Sequence, residues 1–457
     1  MILNEGSPSP SAPPLLLRGG TILTLDAEAT VLQGDILVEN GRIRAIGRIP
    51  EPPPAARVLD VSGGFVLPGL VQGHLHLGQT FFRGLAENRR LLAWLRERIW
   101  PLEAAHDDES AYWCALLGAA ECLLGGTTTI QDIGIGPGIR GLLDAIAASG
   151  LRAFAGLCLM DSGEGLPGAM RQRTDNALAE TESLGDRYDG AAEGRLRYAL
   201  NPRFILTCSD LLWTGLRDLA LHRGWPVHTH ALEQLDETAV VRSLKGGRDE
   251  IHYFDDQGVL ATDLRLAHGV WIADGHLGRL RDHGTSVVHC PSSNLKLGSG
   301  IADLLALRRH GIPVGVGADG AACSNHLDCL QEVRLAALLQ KVKHSPDAFS
   351  GLDALRLATS EGARALGLQD KIGTIEPGKL ADLLVLSTDH PEIWAAPQAD
   401  PHDRIAFGAS RAAVRHTLVA GRLLVEDGRL THLDLEEVYR ESSRCLGDLI
   451  RRAGVEL

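Results

Sequence analysis

Paired cysteines, long apolar stretches and clusters of positive charge are all missing from this 457-residue chain. Its eight cysteines (Cys114, Cys122, Cys158, Cys208, Cys290, Cys323, Cys329 and Cys445) are scattered with no C-x-x-C spacing. That argues against a disulfide framework and against a thiolate zinc site. No apolar stretch is long enough to span a membrane, and residues 1–14 carry Ser and Pro without the basic and apolar segments of a signal peptide. The net charge of −13, with no Lys/Arg-dense run to offset it, argues against nucleic acid or an anionic membrane surface as partner. Lysine is absent until Lys245. These absences leave a cytoplasmic protein as the expectation. What is present is a 44% hydrophobic composition, enough for a full core, and a length that favours one large barrel plus a smaller unit.

Three zones follow one another. From Leu15 to about Asp60, short β-type runs are broken by Gly and Asn, and Asn40-Gly41 between alternating apolar positions predicts a hairpin. From Val66 to about Asp370, short apolar strands alternate with helical stretches, as in RLRYALNP, SDLLWTGLRDLALHRG and WPVHTHALE. That rhythm favours a closed parallel (β/α)8 barrel over an open sheet. From Gly373 the β-type signal returns, so the two terminal zones are expected to join in one small sheet domain. The resulting division is 1–65, 66–372 and 373–457. An amphipathic helix closes the chain, with Leu435, Val438, Leu446 and Leu449 on or near one face.

The chemistry-bearing residues gather at strand ends. VLPGLVQGHLHLGQ (66–79) places His74 and His76 two apart after the run Phe65–Val71, which reads as one buried strand. Residues two apart on a strand point the same way, so both imidazoles can face one metal ion. VHTHALE (227–233), RLAHGV (265–270) and VGVGADG (314–320) are three further apolar runs, each ending in a metal-competent or acid-base side chain. Neutral imidazoles with one carboxylate suit zinc, with iron as the other candidate. His228 and His230 lie on the same side of their strand, and spacing alone does not choose between them.

The set HLH (74–76), HALE (230–233), AHGV (267–270), HCPSSNLKL (289–297) and GADGA (317–321) resembles the amidohydrolase superfamily. Within it, the text is similar to the branch holding guanine, thiomethyladenosine/adenosylhomocysteine and s-triazine aminohydrolases. The resemblance extends to FVLPGLVQGH near the start and IGTIEPGKLADLLVL near the end. It implies a (β/α)8 TIM barrel with a small β-sandwich built from both chain ends, and one divalent metal, zinc before iron, held by His74, His76, His230 and Asp319. It selects His230 over His228 and leaves His289 outside the ligand set. Glu233 is implied as the carrier of a proton between water and a substrate ring nitrogen, His268 as the group steadying the tetrahedral centre, and Asp319 as ligand and base together. Binuclear relatives bridge two metals with a carbamylated lysine on a middle strand. With no lysine before Lys245, one metal is expected.

On the substrate side the resemblance implies roles for Gln79, Glu103 and Arg203. Each has a plainer reading: a polar loop for Gln79, a helix cap for Glu103, a structural ion pair for Arg203. Phe81, Phe82, Trp94 and Trp100 could wall a flat ring or simply pack a core. PRF-x-x-x-CS around Arg203 resembles guanine deaminases, whereas GADGAACSNHLDCLQEV resembles the thiomethyladenosine/adenosylhomocysteine group. Because a guanidinium offers only donors, Arg203 favours a 2-amino-6-oxo ring such as guanine over adenosine derivatives. The expected activity is hydrolysis of an exocyclic amino group from a purine-like N-heterocycle. The alternatives are deamination of thiomethyladenosine, adenosylhomocysteine or 5′-deoxyadenosine, s-triazine amino- or chlorohydrolysis, and, remotely, an inactive scaffold barrel. The expected partners are that small heterocycle and water, with self-association as a dimer, and neither nucleic acid nor membrane.

Overall fold

A computed structural model of the chain describes residues 13–396 and 398–455. The expected lack of a leader rests on residues 1–14 and falls almost wholly outside them. Eight parallel strands form the barrel: β1 (Leu70–His76), β2 (Thr127–Asp132), β3 (Arg152–Ala155), β4 (Leu196–Tyr198), β5 (Val227–Ala231), β6 (Leu264–His268), β7 (Ser286–His289) and β8 (Val314–Val316). Each bonds to its neighbour in parallel register, and β8 returns to β1 through Val316 and Gln72. Closure between β4 and β5 comes just past β4, where the Leu200 N–H donates to the Pro226 carbonyl and the His228 N–H to the Leu200 carbonyl. A two-residue strand, Asp319–Gly320, extends β8 and pairs with β1 so that Asp319 lies opposite Leu75 and Gly320 opposite His76. The C-terminal ends of the strands therefore open on one mouth, where such barrels carry their chemistry.

Strands from both chain ends lie in a second, nine-stranded sheet. Leu15–Leu23 and Phe65–Pro68 pair in parallel, and Phe65–Pro68 pairs antiparallel with Leu383–Leu386, which joins the two terminal zones. By hydrogen bonding this is a single continuous sheet, curled round its own core of Leu17, Ile36 and Val38 from one end and Leu383, Val385 and Leu418 from the other. The hairpin at Asn40-Gly41 forms as expected, both residues at positive φ (51° and 73°) between Val31–Glu39 and Arg42–Gly47. The run Phe65–Val71 departs from its sequence reading. It is two strands, one in each sheet, parted at Gly69, where any side chain would run into Thr128. Apolarity is continuous across the break because both halves are fully buried, which hides the boundary from a hydropathy reading.

The last helix, Leu435–Ala453, buries Val438, Ser442, Cys445 and Leu449, spaced four, three and four apart. Leu435 and Leu446 are only half-buried, so Ser442 and Cys445 rather than those leucines complete the seam. Among the described residues no helix is long and apolar enough to cross a membrane.

A buried ion pair ties the curled sheet to the barrel. On β3, Arg152 donates from Nε and Nη2 to the two oxygens of Asp382 at 2.9 and 3.1 Å, and Asp382 Oδ1 also accepts the Ala420 N–H at 2.7 Å. Breaking such a pair from one side strands a buried charge at a cost of roughly 3–5 kcal/mol. Asp382→Ala should lower the urea midpoint by an amount equivalent to that range with little change in slope; a midpoint within about 0.5 kcal/mol of the parent would show the pair to be energetically idle.

Candidate metal centre and active site

Barrel closure brings the strand ends β1, β5, β6 and β8 together round one carboxylate. Asp319 Oδ1 lies 3.3 Å from His74 Nε2 and 3.2 Å from His76 Nε2. His76 Nε2 is 3.0 Å from His230 Nε2. Ligand atoms of His74, His230, His268 and Asp319 all fall within 4.8 Å of one another. His74, His76 and His268 are at most 2% exposed and Asp319 is 5% exposed.

Hydrogen bonds at the far side of each ring fix which nitrogen faces the cluster. The Arg265 carbonyl, 3.1 Å from His228 Nδ1, can only accept, so that nitrogen carries the proton and His228 Nε2 accepts from His74 Nδ1 at 2.7 Å. His74 Nε2 is thereby left with its lone pair toward Asp319. In the same way His230 Nδ1 donates to the Arg203 carbonyl at 2.7 Å, which turns a bare Nε2 inward. His228 thus orients His74, in the manner of the outer partners that steady metal-binding histidines. Burial pushes the His76 and His230 imidazoles well below their ordinary value, which keeps them neutral.

This donor set fits a divalent ion on its own chemistry. His74 Nε2 and His268 Nε2 are buried with no hydrogen-bond partner, and the bare nitrogens of His74 and His230 share one space with a carboxylate oxygen. Inward-facing lone pairs without protons repel one another unless a cation lies between them. His289 closes β7, also fully buried, and neither of its ring nitrogens has a partner. Burial takes it to about 3, and it stands outside the ligand cluster.

The acid-base side chains flank the cluster. Glu233 is 4% exposed, its Oε2 3.6 Å from His268 Nε2 and its Oε1 accepting from Ser299 Oγ at 3.3 Å. Burial raises its pKa, which suits a group that must carry a proton. His268 Nε2 is also 3.8 Å from Asp319 Oδ2, so one imidazole sits between two carboxylates. Leu232, His268 and Asp319 all hold left-handed backbone (φ 55°, 71° and 60°), a conformation that non-glycine residues adopt at a cost of about 1–3 kcal/mol. His268 and Asp319 line the mouth, whereas Leu232 packs in the core beside it.

Four positioning residues were invisible to the sequence reading. Ser293 Oγ donates to Asp319 Oδ2 at 2.6 Å, and Asn294 Oδ1 accepts from His268 Nδ1 at 2.8 Å. Both stand on the short helix Pro291–Lys296 after β7, and the Ser-Ser-Asn of HCPSSNLKL was their one signal. Glu237 Oε2 accepts the Glu233 N–H at 3.1 Å, and Ser299 holds the Glu233 carboxylate; neither lies in a motif.

Above the cluster is a cavity walled by Leu91, Trp94, Leu95, Phe204 and Leu297. Gln79 and Arg203 line it as well; Glu103 does not. Glu103 Oε2 accepts from Arg203 Nη1 at 2.6 Å, and Glu103 Oε1 accepts from Gln79 Nε2 at 2.8 Å. The three expected substrate-side residues are therefore one buried network, and Arg203 is in an ion pair. Of the four aromatic candidates only Trp94 reaches the cavity; Phe81, Phe82 and Trp100 pack in the adjoining core.

Residues 65–424 match the amidohydrolase family. The chain is 33% identical to a 5′-deoxyadenosine deaminase of Methanobrevibacter smithii, over 95% of this chain and 99% of that one. It is 36% identical to a 5-methylthioadenosine/S-adenosylhomocysteine deaminase of Halobacterium salinarum, over 96% and 99%. Among solved structures, an adenosine deaminase from Xanthomonas campestris with bound zinc superposes with a TM-score of 0.89 at 30% identity, covering 96% of this chain and 98% of that one. The chain belongs to the amidohydrolase family. Within it, the chain is a hydrolase of carbon–nitrogen bonds in cyclic amidines.

The Asn294 contact has a testable consequence. Asn294→Ala frees the His268 ring and should lower kcat by about 10–100-fold with bound metal unchanged, as loss of an outer partner does. Asn294→Asp, which still accepts from Nδ1, should recover part of it. Equal loss in both variants, or loss of the metal, would show that Asn294 does not act through His268.

Proposed function

We propose that this chain is a mononuclear aminohydrolase that removes the 6-amino group of an adenosine derivative altered at the 5′ position. The observation that carries the substrate choice is the Arg203–Glu103 pair. A free guanidinium over the metal centre was the reason to favour a 6-oxo purine such as guanine. Arg203 instead spends its charge on Glu103, so the reason for guanine falls away. The deaminases of 5′-deoxyadenosine and methylthioadenosine to which the chain is similar support the adenosine side.

His74, His76, His230 and Asp319 would hold the ion, zinc before iron. A divalent ion there supplies a Lewis acid that makes water a nucleophile near neutral pH. The chain's own residues do the rest. Asp319, its Oδ2 steadied by Ser293, is placed to take a proton as water adds to the ring carbon bearing the amino group. His268 Nε2, between Asp319 and Glu233, can share that proton and, once protonated, hold the developing charge on oxygen. Glu233, made a weaker acid by burial, can pass its proton to the ring nitrogen and recover one from the new hydroxyl as the carbonyl forms, while the proton taken by Asp319 goes to the leaving amine, which departs as ammonia. Leu91, Trp94, Leu95, Phe204 and Leu297 exclude water and offer a flat ring an apolar slot. The chain's first lysine, Lys245, pairs with Asp210 outside the cluster, which supports a single metal.

Three measurements test this reading. Protein dialysed free of loosely bound ions should retain one metal per chain, and His76→Ala should lose most of it; two ions resistant to dialysis would exclude the mononuclear centre. Glu233→Gln should keep the ion and lose about 10²–10⁴-fold in kcat, and a loss under about tenfold would remove Glu233 from the proton path. With one preparation, kcat/KM for 5′-deoxyadenosine and methylthioadenosine should exceed that for guanine by more than about tenfold. The reverse order would restore the oxo-purine, and turnover of an s-triazine alone would move the chain to that branch.

A further inference from the structure

A second group of metal-competent side chains stands outside the barrel mouth and takes no part in the site described above. Asp249 caps the helix Glu250–Asp256, its Oδ1 accepting the His252 backbone N–H at 3.0 Å. The same oxygen lies 3.0 Å from His252 Nδ1. His276, in the first turn of the helix Asp274–Asp282, places Nε2 2.9 Å from the other oxygen, Oδ2. One ligand atom from each residue falls within 4.8 Å of the others, and the two rings meet edge to face with centroids 4.8 Å apart.

From this geometry we infer that Asp249, His252 and His276 form a second, outer site for a borderline divalent transition ion of the zinc class. Two imidazole nitrogens and one carboxylate are the donors that such ions select, with the remaining position open to water. Bonds of 2.0–2.1 Å put neighbouring ligand atoms about 3.3 Å apart; His252 Nδ1 and His276 Nε2 stand 3.0 and 2.9 Å from opposite oxygens of Asp249, so an ion would take the place of the ring protons that face the carboxylate. The His276 side chain is 11% exposed and that of Asp249 12%, which fixes two donors, while the His252 side chain, at 50%, leaves an entrance from solvent. The cations on or beside these helices are engaged elsewhere: Arg248 pairs with Asp256 and Arg279 with Asp255.

The placement gives the site a mechanical role. Its two helices belong to the connections that follow β5 and β6, the strands that present His230, Glu233 and His268. An ion here would clasp those connections from outside without touching the reacting atoms. It would stabilise the fold by mass action and leave turnover almost unchanged.

The test uses the full chain carrying its tightly held ion, dialysed free of labile metal and then titrated with Zn²⁺ by equilibrium dialysis and elemental analysis. Wild type should take up one further equivalent, with a rise in Tm. His252→Ala should weaken that uptake by at least about tenfold and His252→Ala/His276→Ala should abolish it, both retaining the first ion and turnover within about twofold. His252 is exposed, so its single variant carries the test if the double variant misfolds. Absence of a further equivalent up to about 1 mM free Zn²⁺, or equal uptake by the variants, would overturn the proposal. Asp319→Asn separates the two sites: it should empty the inner one and spare the outer, so failure of the aminohydrolase reading leaves this one standing.

Discussion

Everything at the mouth of this barrel depends on one carboxylate, Asp319, meeting the imidazoles of His74 and His76 at 3.2–3.3 Å in a space sealed from solvent. Such an arrangement is costly to fold. Bare ring nitrogens are desolvated and point at one another, and a buried carboxylate has no cation facing it until an ion enters. The barrel makes the arrangement possible because β1, β5, β6 and β8 are held in register by their neighbours on both sides. No single strand has to pay for the convergence, and the free energy of closing the barrel is spread over its whole core.

The supporting contacts form two tiers. His228 acts from β5 and the Arg203 carbonyl from the loop past β4, and together they fix the tautomers of His74 and His230. Ser293 and Asn294 act from the short helix beyond β7, one on each side of the acid-base pair. The first tier is anchored to the barrel sheet, His228 on β5 and Arg203 through its carbonyl, which also accepts the His230 backbone N–H at 3.1 Å. The second is one turn of helix with Pro291 at its start, which fixes its entry angle and so the positions of the Ser293 donor and the Asn294 acceptor. The proposed proton path through Asp319, His268 and Glu233 would need both tiers, since a 1 Å misplacement of a reacting group can cost about 10²-fold in rate.

Residues whose role follows from strand periodicity were legible in the sequence. His74 and His76 two apart, and His268 and Asp319 at the ends of apolar runs, declare themselves because a strand end in a parallel barrel has one place to point, whereas His230 shares its face with His228 and was chosen only by the family resemblance. The closed barrel and the Asn40-Gly41 hairpin were legible for the same local reasons. The break at Gly69 was not, because both sides of it are buried and equally apolar, and only Thr128 across the interface shows why the chain must turn there. Asn294, Ser299 and Glu237 were illegible because their partners lie 26, 66 and 4 residues away with no shared periodicity. Arg203 shows a subtler limit. The sequence identified a functional-looking guanidinium and offered an ion pair as its plainer reading, but could not show that Glu103, 100 residues earlier, would supply the partner.

That pairing changes what the cavity can recognise. A buried guanidinium with no counter-ion would demand an anion or carbonyl from the substrate and reject ligands lacking one. Once Glu103 holds it at 2.6 Å, the two charges satisfy each other and the demand is gone. Gln79, tied to the same carboxylate at 2.8 Å, cannot turn freely to meet a ring edge either. What remains facing the slot is mostly apolar, a surface that accepts a flat heterocycle through its faces and leaves the chemistry at its edge to Glu233 and His268. An amino-purine with no oxo group, whose reactive edge carries the ring nitrogen that Glu233 can protonate, fits that division of labour. A 6-oxo base would turn its carbonyl toward a guanidinium already paired with Glu103 and toward a Gln79 whose unpartnered atom is the acceptor Oε1, which cannot serve a carbonyl.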